Sequence, residues 1–172
     1  MYYHKELYHS VMQDSSETVL AFDSTNQPTS SSGIPLAEHG HPKDQSRKKL
    51  PDINTALFVD EATGIPLYYE HFCGSILDKS QTPYTIERAK DLGFRKLFLM
   101  MDRGYFSQQV IDSLSDMKFG LMCPDSLTLV KNVIAAYAGK IKDSEDYYIG
   151  EENVYGIHLA DQQVCNGSYD VY

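Results

Sequence analysis

Apolar residues in this chain fall into short blocks separated by polar stretches, and the blocks carry two different periods. Val19 to Asp23 (VLAFD) is a brief apolar run ending on an aspartate, after which Ser24 and Thr25 open a polar loop; it predicts a buried strand. Residues 25–51 contain TNQPTSSSG and HGHPKDQSRKK, dense in Ser, Pro, Gly and charge. A loop of that length is expected to be functional or disordered. Thr55–Val59 and Ile65–Phe72 are rich in β-branched and aromatic residues and flank DEATG, so they predict an antiparallel hairpin with Gly64 supplying the positive φ of its turn. Thr82–Leu92 predicts a helix, with Thr82 as N-cap, Pro83 in the first turn, Ile86, Ala89 and Leu92 at helical spacing, and Gly93 as the stop. Phe94–Met101 reads as an apolar strand covered on both faces. Ser107 caps a second predicted helix, QQVIDSLSDMK, with Val110, Ile111 and Leu114 on one side. Phe119–Cys123 predicts a strand, Leu127–Ile141 a third helix, and Tyr147–Tyr172 a set of short strands. Residues before Val19 show no clear period and are read as a frayed helix or an N-terminal remnant.

Two of these runs stop on a carboxylate. KLFLMMDRGYFS, residues 96–107, ends its apolar part on Asp102, as VLAFD ends on Asp23, 79 positions earlier. A carboxylate where a buried strand emerges is rigidly held and faces a crevice, which is how many enzymes hold metal ions. The order strand, hairpin, helix, strand, helix, strand predicts an α/β mixed sheet with flanking helices. A right-handed crossover then sets the strand ending at Asp102 parallel to the one ending at Asp23, in the ribonuclease H-like arrangement.

At 172 residues and 42% hydrophobic content the chain can bury one core. Its net charge of -9, from 15 basic and 24 acidic residues, argues against a free-standing nucleic-acid binder, because phosphate contacts need clustered Lys and Arg. Cys73, Cys123 and Cys165 are too widely spaced for a CxxC pair and are expected to be buried thiols in a reducing cytosol. No apolar stretch approaches the roughly 18 residues of a membrane span, and MYYHKELYHS lacks the blocks of a signal peptide. A cytoplasmic protein with no membrane partner is expected.

FDSTN at 22–26, HGHPKD at 39–44, TGIPL at 63–67, FCGSILD at 72–78 and MDRGYFS at 101–107, taken together and in this order, resemble the catalytic domain of bacterial insertion-sequence transposases of the DDE class. The resemblance implies a ribonuclease H-like catalytic core over 19–142, after an N-terminal remnant at 1–18 and before the start of a β-rich insertion at 143–172. It places the first two catalytic and metal-binding acids at Asp23 and Asp102, and implies a third, a glutamate within YxxRxxxExxxxxxK. No arginine follows Arg103, so that motif is absent; the later glutamates are Glu145, Glu151 and Glu152. The chain therefore reads as truncated within the insertion and short of a basic upstream region, which would account for its acidity.

The implied function is metal-dependent DNA cleavage and strand transfer at transposon ends, with Mg²⁺ or Mn²⁺ in a two-ion site. Such ions sit about 3.5 to 4 Å apart, activate water and stabilise the leaving oxygen; Mg²⁺ prefers hard oxygen ligands. With two acids in place of three, weak metal binding and little strand transfer are expected of this chain alone. DNA is the implied partner of the complete protein, bound at the nucleoid, with a homo-oligomer as a further expectation. Lys43, Arg47, Lys48, Lys49 and Arg103 are the candidate DNA contacts, although basic residues in a polar loop are more often a wet surface. His39 and His41 are expected to be solvated rather than zinc ligands. Gly104 is expected to permit the turn after the strand, and Tyr105 and Phe106 to pack under the next helix rather than stack on a base. The alternative is a non-catalytic folded remnant acting as an interaction or regulatory module; a third reading is another ribonuclease H-like nuclease using Glu151 or Glu152.

Overall fold

The structure, a computed structural model, describes residues 18–43, 46, 49–94, 98–150 and 153–172. The described residues divide into two units, one up to Met122 and one from Cys123, and the N-terminal remnant expected before Val19 lies, but for Thr18, outside them. The first holds a five-stranded sheet made of β1 (Val19–Pro28), β2 (Asp52–Asp60), β3 (Pro66–Cys73), β4 (Phe98–Met101) and β5 (Lys118–Leu121), in the order β3-β2-β1-β4-β5. β1 runs antiparallel to β2 and parallel to β4, while β4 is parallel to β5. With helices α1 (Asp78–Asp91) and α2 (Gln108–Ser113) in the crossovers, this is the ribonuclease H-like mixed sheet expected from the element order.

The hairpin turn works as anticipated: Gly64 adopts φ +69°, and the Asp60 carboxylate accepts the Thr63 backbone N–H at 3.0 Å. The end of α1 is also local chemistry. Gly93 at φ +103° lets its own N–H reach the Lys90 carbonyl and that of Phe94 reach Ala89, closing the last turn. Its beginning differs from the expectation. α1 starts at Asp78 with Leu77 as N-cap, so Thr82 and Pro83 lie inside it. The buried side of its first half is polar: Thr82 donates to the Asp78 carbonyl at 2.8 Å and Thr85 to Glu70 at 2.8 Å, which conceals the helical period ahead of Ile86. The Ser107 hydroxyl caps α2 by accepting the Val110 N–H at 3.3 Å, and the helix is shorter than its sequence pattern suggests.

One face of the sheet is sealed. Leu20 and Phe22 of β1, Phe58 of β2, Tyr68 and Phe72 of β3 and Leu99 of β4 pack with Ile86 and Ala89 of α1 and Val110 and Leu114 of α2 in a single core. Phe22 meets Phe58 and Phe58 meets Tyr68 edge to face, with centroids 5.0 and 5.3 Å apart. Two buried charges are partnered, since Glu70 accepts from Thr85 and Arg88 and Lys90 donates to Asp116 and to the Ser113 carbonyl, whereas both carboxylate oxygens of buried Asp52 have no hydrogen-bond partner among the described residues. The expectation that β4 is covered on both faces is corrected, since Met100 is 48% exposed. The cysteines also depart from expectation: Cys73 and Cys123 are half-buried and Cys165 is exposed.

The second unit contains α3 (Thr128–Tyr137), ending near Gly139 at φ +77°, and two hairpins. These pair β6 (Tyr148–Ile149) with β7 (Val154–Tyr155) and β8 (Leu159–Val164) with β9 (Gly167–Val171). Tyrosines contribute ring contacts here, Tyr137 with Tyr147 and Tyr148 with Tyr155. Among the described residues no helix is long and apolar enough to cross a membrane.

Candidate functional site

The parallel ladder between β1 and β4 ends at the pair Phe22 and Met101. Asp23 lies in the middle of β1, which runs on beside β2 to Pro28 instead of opening a loop at Ser24 as expected, and Asp102 follows the last residue of β4. The register thus brings them side by side where adjacent strands lie about 4.8 Å apart. Because side chains alternate, both belong to the face opposite the core residues Leu20, Phe22, Leu99 and Met101. Both are exposed.

Each carboxylate is oriented through one oxygen. Asp102 Oδ1 accepts the Arg103 N–H at 2.6 Å and caps the 3-10 turn Arg103–Tyr105. Asp23 Oδ1 accepts the Ser24 N–H at 2.7 Å and the Tyr105 hydroxyl at 3.2 Å. Tyr105 is buried with its ring edge-on to Phe22, centroids 5.0 Å apart, which is the packing role expected of it. Burial pushes its hydroxyl pKa well above the ordinary tyrosine value; the Ser24 hydrogen bond opposes this, and the Asp23 and Asp78 charges add to it.

Behind Asp23 lies a polar cluster drawn from distant motifs. Ser24 Oγ donates to Asp78 Oδ2 at 2.6 Å and lies 2.6 Å from the Tyr105 hydroxyl. Lys43 donates to the Ser24 carbonyl and to Ser24 Oγ, the latter at 3.2 Å, and its ammonium stands 3.6 Å from Asp78 Oδ2. Close backbone approach assembles this group. A Cβ at Gly40 would lie 1.7 Å from the Gly74 carbonyl oxygen, and one at Gly74 would lie 2.1 Å from that of Asp52. Only glycine fits at either place, so HGHPKD and FCGSILD are pressed together there. Asn54 Nδ2 holds the turn into α1 by donating to the carbonyls of Cys73, Gly74 and Ile76.

Of the candidate DNA contacts, Lys43 thus sits within the cluster, Lys49 is exposed on the loop, and Arg103 is exposed beside Asp102. Arg47 and Lys48 lie outside the described residues, as do Glu151 and Glu152. His39 and His41 are exposed loop residues. Glu145 falls in a 3-10 turn of the second unit. Ser24 and Asp78 were given no role from sequence, although Asp78 closes the FCGSILD phrase and Ser24 follows Asp23 directly.

The donor set suits a hard cation in part. Two carboxylates stand where the β1–β4 ladder ends, yet among the described residues no three His, Cys, Asp or Glu side chains converge to hold a metal ion. DDE transposases as a family use divalent cations at their acidic residues.

Comparison with known proteins follows the same lines. No curated protein matches the chain. Among solved structures it is similar to the piggyBac transposase in a synaptic complex with hairpin DNA, at 14% identity and a TM-score of 0.44, covering 71% of this chain and 26% of that one. It is similar to the Mos1 strand transfer complex at 14% identity and a TM-score of 0.40, covering 83% and 48%. The N-terminal RNase H domain of a Mycobacterium tuberculosis protein gives 9% identity and a TM-score of 0.34, covering 72% and 100%. This chain thus spans under half the length of the two transposase chains. These likenesses are distant, but the family profile "Transposase DDE domain" matches residues 14–124, well over half of the sequence and inclusive of Asp23 and Asp102. On that match the chain belongs to the DDE transposase domain family.

Proposed function

We propose that this chain carries the first two acidic residues of a DDE transposase core, Asp23 and Asp102, which hold a divalent cation, Mg²⁺ or Mn²⁺, for cleavage and strand transfer of transposon-end DNA. The observation that supports this reading most is the β1–β4 register, which sets the two carboxylates side by side where the ladder between these strands ends, within a DDE-family domain. When bound, the cations activate the attacking oxygen and stabilise the leaving one. The chain's own contribution is orientation: Arg103 N–H aligns Asp102, and Ser24 N–H with the Tyr105 hydroxyl aligns Asp23. Lys43, Arg47, Lys48, Lys49 and Arg103 are the proposed contacts to DNA phosphates, with a homo-oligomer at the nucleoid as the working assembly.

With two acids, cation binding by this chain alone is expected to be weak and strand transfer negligible. The absence of a three-acid group among the described residues favours the second reading, a folded interaction module of a full-length transposase that does no chemistry. Calorimetric titration with Mn²⁺ separates the two. Binding that disappears in Asp23→Asn and in Asp102→Asn supports the catalytic reading; no heat and no thermal shift with the wild-type chain supports the module. DNA binding that weakens with salt, and weakens further in Lys49→Ala and Arg103→Ala, tests the phosphate contacts.

A further inference from the structure

Asp78 is a carboxylate near the site that no metal reading uses. It is bound to the Ser24 hydroxyl and faces the Lys43 ammonium, and two hydroxyls separate it from Asp23. The run Asp78, Ser24, Tyr105, Asp23 contains three close oxygen contacts, of 2.6, 2.6 and 3.2 Å. Serine and tyrosine bring one hydroxyl proton each, so two protons serve three contacts. Lys43 lies to one side of this run. Its ammonium has three donors, is directed at both Ser24 oxygens and stands beside Asp78. With the Ser24 proton held by Asp78, the serine hydroxyl cannot donate to Tyr105, and the tyrosine proton is left to lie between Ser24 Oγ and Asp23 Oδ1.

We propose that Tyr105, backed by Ser24, Asp78 and Lys43, is a positioning residue for Asp23, holding Oδ1 in a hydrogen bond so that Oδ2 is left for the cation. The inference rests on the reading of Asp23 as a metal ligand. A lone aspartate rotates about its side-chain bonds; one gripped by a backbone N–H and a buried phenol does not. The phenol is itself fixed by its edge contact with Phe22, and Asp78 is fixed at the first turn of α1. Partners of this kind behind a ligand typically contribute about 10- to 100-fold in metal affinity.

The test is Mn²⁺ titrated into the isotopically labelled 172-residue chain, reading paramagnetic broadening of amide signals near Ser24 and Arg103, which detects even weak binding. Tyr105→Phe keeps the ring and its packing, and is expected to raise the Mn²⁺ concentration for half-broadening about tenfold while the protein stays folded. Ser24→Ala removes the second acceptor of the tyrosine proton and is expected to lower that concentration, so it decides the matter if Tyr105→Phe does not fold. In the metal-free chain the Asp23 side-chain carboxyl carbon signal should move in Tyr105→Phe while that of Asp102 stays, a difference that general loosening would not produce. If both variants titrate like wild type while Asp23→Asn abolishes binding, the positioning role is overturned and the metal site survives. If Asp23→Asn titrates like wild type, the metal reading falls and takes this one with it.

Discussion

On one face of the five-stranded sheet, Leu20, Phe22, Phe58 and Leu99 are sealed beneath α1 and α2; on the other, Ala21, Tyr69 and Met100 stand exposed. These are alternate residues of the same strands, so a single backbone carries two surfaces with different tasks. The sealed face supplies the apolar burial that holds the fold. Asp23 and Asp102 belong by register to the other face, where a carboxylate can stay hydrated without disturbing the core. Stability and candidate chemistry are thus separated by one step along each strand and joined through buried Tyr105, which packs on Phe22 and bonds Asp23.

The comparison would be broken most severely from the sealed side. Phe58→Ala removes a ring that is 1% exposed and touches two other rings, and should cost about 3–5 kcal/mol in denaturant unfolding. A loss under half of that would mean the core is not where the fold is held. Thr85→Val leaves the buried Glu70 carboxylate one donor short, with an expected cost of about 1–3 kcal/mol on the same measurement.

Alkaline pH probes the sealed face more gently. Burial, with the Glu70 charge adding, raises Tyr68 from 10.0 to about 12, and burial likewise raises Tyr105. The folded state therefore keeps these protons after the unfolded chain has lost them. Their contribution to stability is complete below pH 10 and declines as pH climbs from there through about 12. Tyr68→Phe should flatten part of that decline; an unchanged profile would place the phenol in water.

The smallest effect is expected on the exposed face. Met100→Lys should change unfolding free energy by under about 0.5 kcal/mol, as at an open surface position. A cost comparable to that of Phe58→Ala would reveal that this face is covered in solution.

Much of this was written in contiguous residues. The hairpin turn at Gly64, the helix stop at Gly93, the Ser107 cap and the two apolar runs ending on Asp23 and Asp102 are short-range features, because turn conformations, caps and alternation are settled by a few neighbouring side chains. The start of α1 was not legible, since Thr82 and Thr85 look exposed until Glu70 and the helix's own carbonyl are seen to satisfy them. Nor was the cluster behind Asp23. Ser24 meets Asp78 across 54 positions and Tyr105 across 81, while Gly40 fits against Gly74 only because the backbone folds back so closely. Local sequence sets what each segment can be; strand register and close packing decide which distant polar atoms meet, because a hydrogen bond forms only between groups that the whole fold has already brought within about 3 Å.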